Sequence, residues 1–116
     1  MGQCIAMLEQ IAVELLAAVK DAKDKDWSKL IPEALEIAKK AYDDYKCFKN
    51  NASNLAKAGV DMLLSQGDQK QCILDHLQAA INDVSNIPSE VWHGNWDAIV
   101  DDLNNAVDEV QNALAC

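Results

Sequence analysis

Residues 26–47 read DWSKLIPEALEIAKKAYDDYKC, and the architecture follows from this stretch. Asp26 and Ser28 flank a tryptophan, and both are residue types whose side-chain oxygens cap the free N–H groups of a helix start. From Trp27 onwards apolar residues recur at steps of three and four, which places them on one helix face. They are Trp27, Leu30, Ala34, Ile37, Ala41 and Tyr45. The stretch therefore predicts an amphipathic helix that ends at Cys47.

The same periodicity extends outward in both directions and predicts three further long helices. Their apolar positions are Ile5, Leu8, Ala12, Leu15, Val19 and Ala22; Ile73, Leu77, Ala80, Val84 and Ile87; and Ile99, Leu103, Ala106, Val110 and Ala113. Residues 55–64 indicate a shorter helix between them. We therefore expect an all-α fold, in which two tandem antiparallel helical hairpins form a four-helix bundle with a short connecting helix.

Spacing between cysteines and tryptophans indicates an internal repeat. Cys4 and Cys47 are 43 positions apart, Cys72 and Cys116 are 44 apart, and a tryptophan lies 20 positions before the second cysteine of each pair. The first helices of the two halves align at an offset of 68 and the second helices at 69, with the change in the loop between them. We expect one domain with repeat units at 4–47 and 72–116 and a connector at 48–71.

Four cysteines allow three pairings. In each predicted hairpin one cysteine opens the first helix and another closes the second, and an antiparallel arrangement brings those ends together. This geometry favours the disulfides Cys4–Cys47 and Cys72–Cys116. The alternative is Cys47–Cys72 with Cys4–Cys116, which would join the two hairpins to each other.

Two structural disulfides indicate an oxidising compartment, so we expect a secreted protein or one of the secretory-granule lumen. The sequon Asn51-Ala52-Ser53 agrees with this, as a candidate glycosylation site at Asn51 in the polar stretch between the hairpins. No run reaches the roughly 18 apolar residues of a transmembrane helix, and we expect no transmembrane segment.

Charge argues against nucleic acid as a partner. The net charge is −9, and all ten basic residues are lysines, whereas proteins that bind a phosphate backbone carry basic patches, usually with arginine. Residues 71–116 contain eight acidic side chains and no lysine. We interpret this acidic third as a solvated face; the alternative is a surface for a cationic partner or for calcium.

No catalytic motif is present, and we expect neither an enzyme nor a cofactor. The sequence lacks a glycine-rich phosphate loop, a Gly-x-Ser-x-Gly elbow and a His-Glu-x-x-His pair. Cys72 and His76 lie four positions apart and could share a metal ion, but a closed zinc site needs four ligands. The disulfide pairing explains the cysteine without a metal, and we expect no metal site there.

Two further segments stand out. Asp97 and Asp101 share a helix face and could bind calcium weakly, although a solvated face is the simpler interpretation. Trp92 and His93 have no counterpart of their type in the first half. We expect Trp92 to cap the end of the bundle; the alternative is that Trp92 and His93 form a contact site, because tryptophan often anchors protein interfaces.

Taken together, the sequence predicts a secreted, non-catalytic helical module. Its expected role is protein–protein interaction, including self-association, or a structural role in an extracellular or granule matrix. The alternative is a carrier that holds a lipid or another small apolar molecule between the helices, with Met7, Met62 and Trp27 as candidate lining residues.

Overall fold

A computed structural model describes the backbone of residues 2–55 and 60–116 and the side chains of residues 2–50 and 70–116. The described elements are all helices: α1 Gly2–Lys23, α2 Trp27–Leu55, α3 Val60–Ser85, α4 Ile87–Trp92 and α5 Trp96–Ala115. The all-α class, the helical bundle and both favoured disulfides, Cys4–Cys47 and Cys72–Cys116, are confirmed.

The long helices form an antiparallel bundle in the order α1, α2, α3, α5. Helix α1 packs against α2 and α5, and α3 packs against the same two helices. The molecule measures 51 × 19 × 18 Å. Both disulfides lie near one end, which we call the disulfide end. The α1–α2 and α4–α5 connections lie at the other, which we call the turn end.

The core follows from the three-four periodicity of each helix, because residues at those spacings share one face. Leucine, isoleucine, valine and alanine dominate it, and Phe48 is the largest fully buried side chain. Two positions on the predicted faces differ: Trp27 is 60% exposed and Ile5 is 40% exposed. Trp27 is the first residue of α2, and Ile5 lies beside the buried Cys4 near the start of α1.

Burial follows an offset of 69 in both halves, which corrects the offset of 68 expected for the first helices. At an offset of 68, Ile5 would match Ile73, yet Ile73 is buried and Ile5 is not. Cys72 therefore precedes the position that corresponds to Cys4 by one residue, or about 100° around the helix. The buried positions that correspond are Cys4, Leu8, Ile11, Leu15 and Ala18 with Ile73, Leu77, Ala80, Val84 and Ile87.

The expected short helix at 55–64 is only partly described. Its first residue belongs to α2, which continues to Leu55, and its last five belong to α3, which begins at Val60, while residues 56–59 lie outside the described part of the chain. A short helix, α4, lies within the second hairpin. It is separated from α3 because Pro88 lacks the N–H group that would continue the helical hydrogen bonds.

Helix α1 is long and apolar enough to cross a membrane by length and composition, with a mean hydropathy of 1.4 over its best 18-residue window. A core helix passes the same test. In this structure α1 buries Leu8, Ile11 and Leu15 against its neighbours, and Cys4 joins it to α2.

Candidate functional sites at the two ends of the bundle

The two connections at the turn end have the same backbone. Lys25 adopts φ +57° in the first, and Gly94, 69 positions later, adopts φ +67° in the second. In each, the next residue donates its N–H to the carbonyl five positions earlier, at 2.9 Å and 3.0 Å. Glycine takes this left-handed conformation without steric cost, whereas lysine does not.

Expected capping residues precede both helices at the turn end. Asn95 caps α5, because its side chain accepts a hydrogen bond from the Ala98 N–H at 3.3 Å. Asp26 accepts a hydrogen bond from the Ser28 hydroxyl at 2.9 Å and lies 3.7 Å from the Lys29 ammonium, so these contacts are with side chains.

Trp92 does not cap the bundle. It is 88% exposed, because it ends α4 at a point where the chain turns away from the core. His93 is exposed beside it, with its Nδ1 2.7 Å from the Ser89 carbonyl oxygen. A carbonyl only accepts, so Nδ1 carries the proton in this contact. Trp96, by contrast, packs against the core, whereas Trp27, at the corresponding position of the first half, is 60% exposed.

An open cleft of about 500 Å³ lies between the two turns. Asp97 and Asp101, the candidate calcium ligands, line it together with Lys23 and Lys25. Two positively charged side chains that line the same cleft oppose the binding of a cation there, because like charges repel. The other lining residues are Ala22, Trp96 and Val100. Calcium binding at Asp97 and Asp101 remains a prediction. The charges that line the cleft favour the simpler interpretation, in which these two aspartates belong to a solvated face.

A pair of carboxyl groups lies between the two helices beside each turn. The first pair is Asp21 with Glu33 and the second is Glu90 with Asp102, and corresponding members are 69 positions apart. Burial, together with a hydrogen bond to Asp21, raises the pKa of Glu33 from 4.5 to about 7. Burial, with a hydrogen bond to Asp102, raises the pKa of Glu90 from 4.5 to about 8. Because the two carboxyl groups of each pair share a proton, one of them stays neutral at pH values well above the ordinary pKa of a carboxyl group. The offset of 68 expected for the first helices would match Asp21 with Ser89 instead of Glu90.

Asp44 is the one buried polar or charged residue in the described part of the chain, with 0% exposure. Neither of its carboxyl oxygens has a hydrogen-bond partner. Its carboxyl lies with the Cys4 and Cys47 sulfurs, within 4.8 Å of both. Burial raises the pKa of Asp44 from 3.8 to about 7, since a charged carboxylate is poorly solvated there.

The second disulfide has different surroundings. Cys72, Cys116 and His76 are all half-buried, and their sulfur and ring-nitrogen atoms lie within 4.8 Å of one another. His76 Nδ1 is 2.6 Å from Glu109 Oε2. The sequence paired Cys72 with His76 by helix spacing and with Cys116 as a disulfide, but the approach of Glu109 from α5 becomes visible only in three dimensions.

Asn51, the candidate glycosylation site, lies within α2 in the structure and not in a loop. Its side chain is outside the described residues, so glycosylation there stays a prediction.

The two ends of the bundle thus offer different chemistry. The turn end presents exposed tryptophan and mixed charge, and the disulfide end presents sulfur, imidazole and carboxyl groups. Comparison of the chain with protein-family models, curated proteins and solved structures finds no match, so functional inference rests on these residues themselves.

Proposed function

We propose that this protein is a secreted, non-catalytic helical module that acts through protein–protein contacts of its turn end, including contacts with further copies of itself. The observation that carries the proposal is the 88% exposure of Trp92. Trp27, at the same end, is 60% exposed. Tryptophan is enriched among residues that dominate binding energy at interfaces, and its exposure on a folded surface costs free energy that a partner would recover.

The scaffold supports this role because it holds the tryptophans on ordered elements. Trp92 ends α4, Trp27 begins α2, and the hydrogen-bonded turns fix both ends. A contact residue presented by a rigid element loses little conformational freedom on binding. His93 lies beside Trp92 and adds a polar group to the proposed contact surface.

We also infer that the chain arose by duplication of one hairpin. Burial, the left-handed turn residue, the carboxyl pair and the tryptophan at the helix start all correspond at an offset of 69. At this offset Trp92 and His93 correspond to Lys23 and Asp24. The proposed contact surface is therefore a feature of the second unit alone.

The two disulfides are compatible with an extracellular protein, and secretion is the proposal that fits them best. A net charge of −9 keeps the protein soluble. It also supports the proposal that nucleic acids and anionic membrane surfaces are not its partners.

Self-association is tested by sedimentation equilibrium of the oxidised protein over a range of concentrations. We expect the wild type to associate and Trp92→Ala to weaken association about 30-fold, the equivalent of about 2 kcal/mol for an interface hot spot. Tyr42→Ala is the matched control, because Tyr42 is aromatic and 52% exposed but lies about 22 Å from Trp27 along α2.

The melting temperature separates contact from capping. Because the Trp92 side chain is so exposed, we expect Trp92→Ala to have the same melting temperature as the wild type. A large drop in melting temperature, or association equally affected by Tyr42→Ala, would contradict the proposal. If the wild type stays monomeric at all concentrations, self-association is wrong and a different protein must be the partner.

A carrier of an apolar ligand remains the alternative prediction. Met7 and Trp27, two of its candidate lining residues, lie about 25 Å apart along the bundle, because Trp27 begins α2 level with the end of α1 and the helical rise is 1.5 Å per residue. The side chain of Met62 is outside the described residues. A removable ligand mass on protein purified from its source, detected by native mass spectrometry, would favour the carrier.

A further inference from the structure

We propose that the reduced form of the second hairpin binds a zinc ion through Cys72, His76 and Cys116, with Glu109 orienting the histidine. The disulfide and the metal are then alternative ways of joining α3 to α5 at this end of the bundle.

The two sulfurs and a ring nitrogen of His76 already lie within 4.8 Å of one another in the oxidised fold. In a tetrahedral site with Zn–S about 2.3 Å and Zn–N about 2.0 Å, ligand atoms lie roughly 3.5–3.8 Å apart. Opening the disulfide moves the two sulfurs apart toward this separation. The Cα atoms of Cys72 and Cys116, now 6.1 Å apart, need little adjustment.

Glu109 supplies an independent feature of metal sites. Its Oε2 is 2.6 Å from His76 Nδ1, which leaves Nε2 as the nitrogen for the metal. Histidine ligands commonly donate their other ring N–H to a carboxylate, which fixes the ring and strengthens the ligand. Three protein ligands leave the fourth position for water.

Solvent access distinguishes this cluster from the first disulfide. Cys72, His76 and Cys116 are half-buried, whereas Cys4 and Asp44 are fully buried. The first cluster has a carboxylate in place of histidine, and zinc sites with two cysteines usually use histidine. Cys72 lies one residue off the core position that Cys4 occupies in the first hairpin, which agrees with the greater exposure of Cys72.

The redox step is an ordinary thiol–disulfide exchange. A dithiol reductant breaks the Cys72–Cys116 bond, supplies two electrons and becomes a cyclic disulfide, and the two cysteines become thiols. Zinc then binds the two thiolates and the neutral imidazole, and two protons leave.

The test uses the full-length chain reduced by a water-soluble phosphine, which is oxidised to its phosphine oxide and does not compete as a thiol ligand. Cobalt(II) is titrated first, since tetrahedral cobalt–thiolate sites show charge-transfer absorption. Zinc is then used to displace the cobalt. His76→Ala tests the ligand, Glu109→Gln tests the orienting group, and His93→Ala is the matched control, since His93 is the other histidine and lies at the turn end.

We expect one cobalt ion per reduced chain, at least tenfold weaker binding in His76→Ala, about tenfold weaker binding in Glu109→Gln, and no change in His93→Ala. Zinc should also raise the melting temperature of the reduced wild type and of His93→Ala, but not that of His76→Ala. Absence of thiolate–cobalt absorption in the reduced wild type would overturn the proposal. So would equal behaviour of His76→Ala and His93→Ala.

Discussion

Replacing Asp44 by asparagine should remove a large pH dependence from the stability of this protein. The Asp44 carboxyl is fully buried and has no hydrogen-bond partner, so the folded state holds it in the protonated form up to a pKa of about 7. The unfolded chain releases the same proton near its ordinary pKa of 3.8. The folded state therefore binds the proton more tightly than the unfolded state.

The sign of the effect follows from this difference. Below about pH 4 both states are protonated and Asp44 contributes no slope. Between about pH 4 and pH 7 the free energy of unfolding falls as pH rises, by at most about 1.4 kcal/mol per unit. The loss attributable to Asp44 is thus about 4 kcal/mol, and above pH 7 it is complete. Such a loss is comparable to the whole stability of many small domains.

Urea denaturation of the wild type and of Asp44→Asn, repeated from pH 4 to pH 9, measures this loss. The buried amide lowers stability by an amount that does not change with pH, so the informative quantity is the difference between the two curves. We expect that difference to shift in favour of Asp44→Asn by about 4 kcal/mol as pH rises. Asp43→Asn, at the exposed neighbouring position, should follow the wild type. Parallel curves for the wild type and Asp44→Asn would refute the reasoning.

Three other predictions concern the turns and the first disulfide. Lys25→Gly should raise the free energy of unfolding by about 1 kcal/mol in thermal or urea denaturation, because Lys25 adopts φ +57° and glycine removes the left-handed penalty; Lys23→Gly, at the end of α1, should lower it. Glu90→Gln should gain stability relative to the wild type as pH rises from about 4.5 to about 8, because over this range the unfolded wild type has ionised Glu90 while the folded state still holds it protonated beside Asp102; an unchanged difference between pH 5 and pH 9 would contradict this. Removing Cys4 and Cys47 together should lower the free energy of unfolding by about 4 kcal/mol in the chain-entropy model for a loop of 43 residues, and a loss below 1 kcal/mol would show that the unfolded chain is already compact.

The fold was largely predictable because helical periodicity and cysteine position reinforce each other. Leu30, Ala34, Ile37 and Ala41 lie on one face by spacing alone, and all four are buried. An antiparallel hairpin then leaves each first cysteine beside its own second one, which made the disulfide pairing predictable. The rotation of each helix about its own axis was not predictable. Cys72 forms its disulfide although it lies one residue away from the buried face of α3 that includes Ile73.

The candidate sites were less predictable, since each depends on contacts between helices. Asp44 lies three positions after Ala41 and is buried, but the apolar pattern continues from Ala41 to Tyr45, so the burial of Asp44 was not predicted. The approach of Glu109 to His76 spans 33 positions, and no local pattern indicates it. Trp92 was expected to cap the bundle because large apolar side chains are usually covered, and its exposure shows only in the structure.

Both covalent links lie within one hairpin, and neither joins the first half of the molecule to the second. The halves are held to each other by packing and by the chain that runs from α2 to α3. Two molecules can therefore exchange halves, with each first hairpin packing on the second hairpin of its neighbour, and no disulfide needs to open. Every buried contact of the monomer would be re-formed in such an exchanged dimer. Assembly by exchange of halves would leave both disulfides intact and would expose no free thiol.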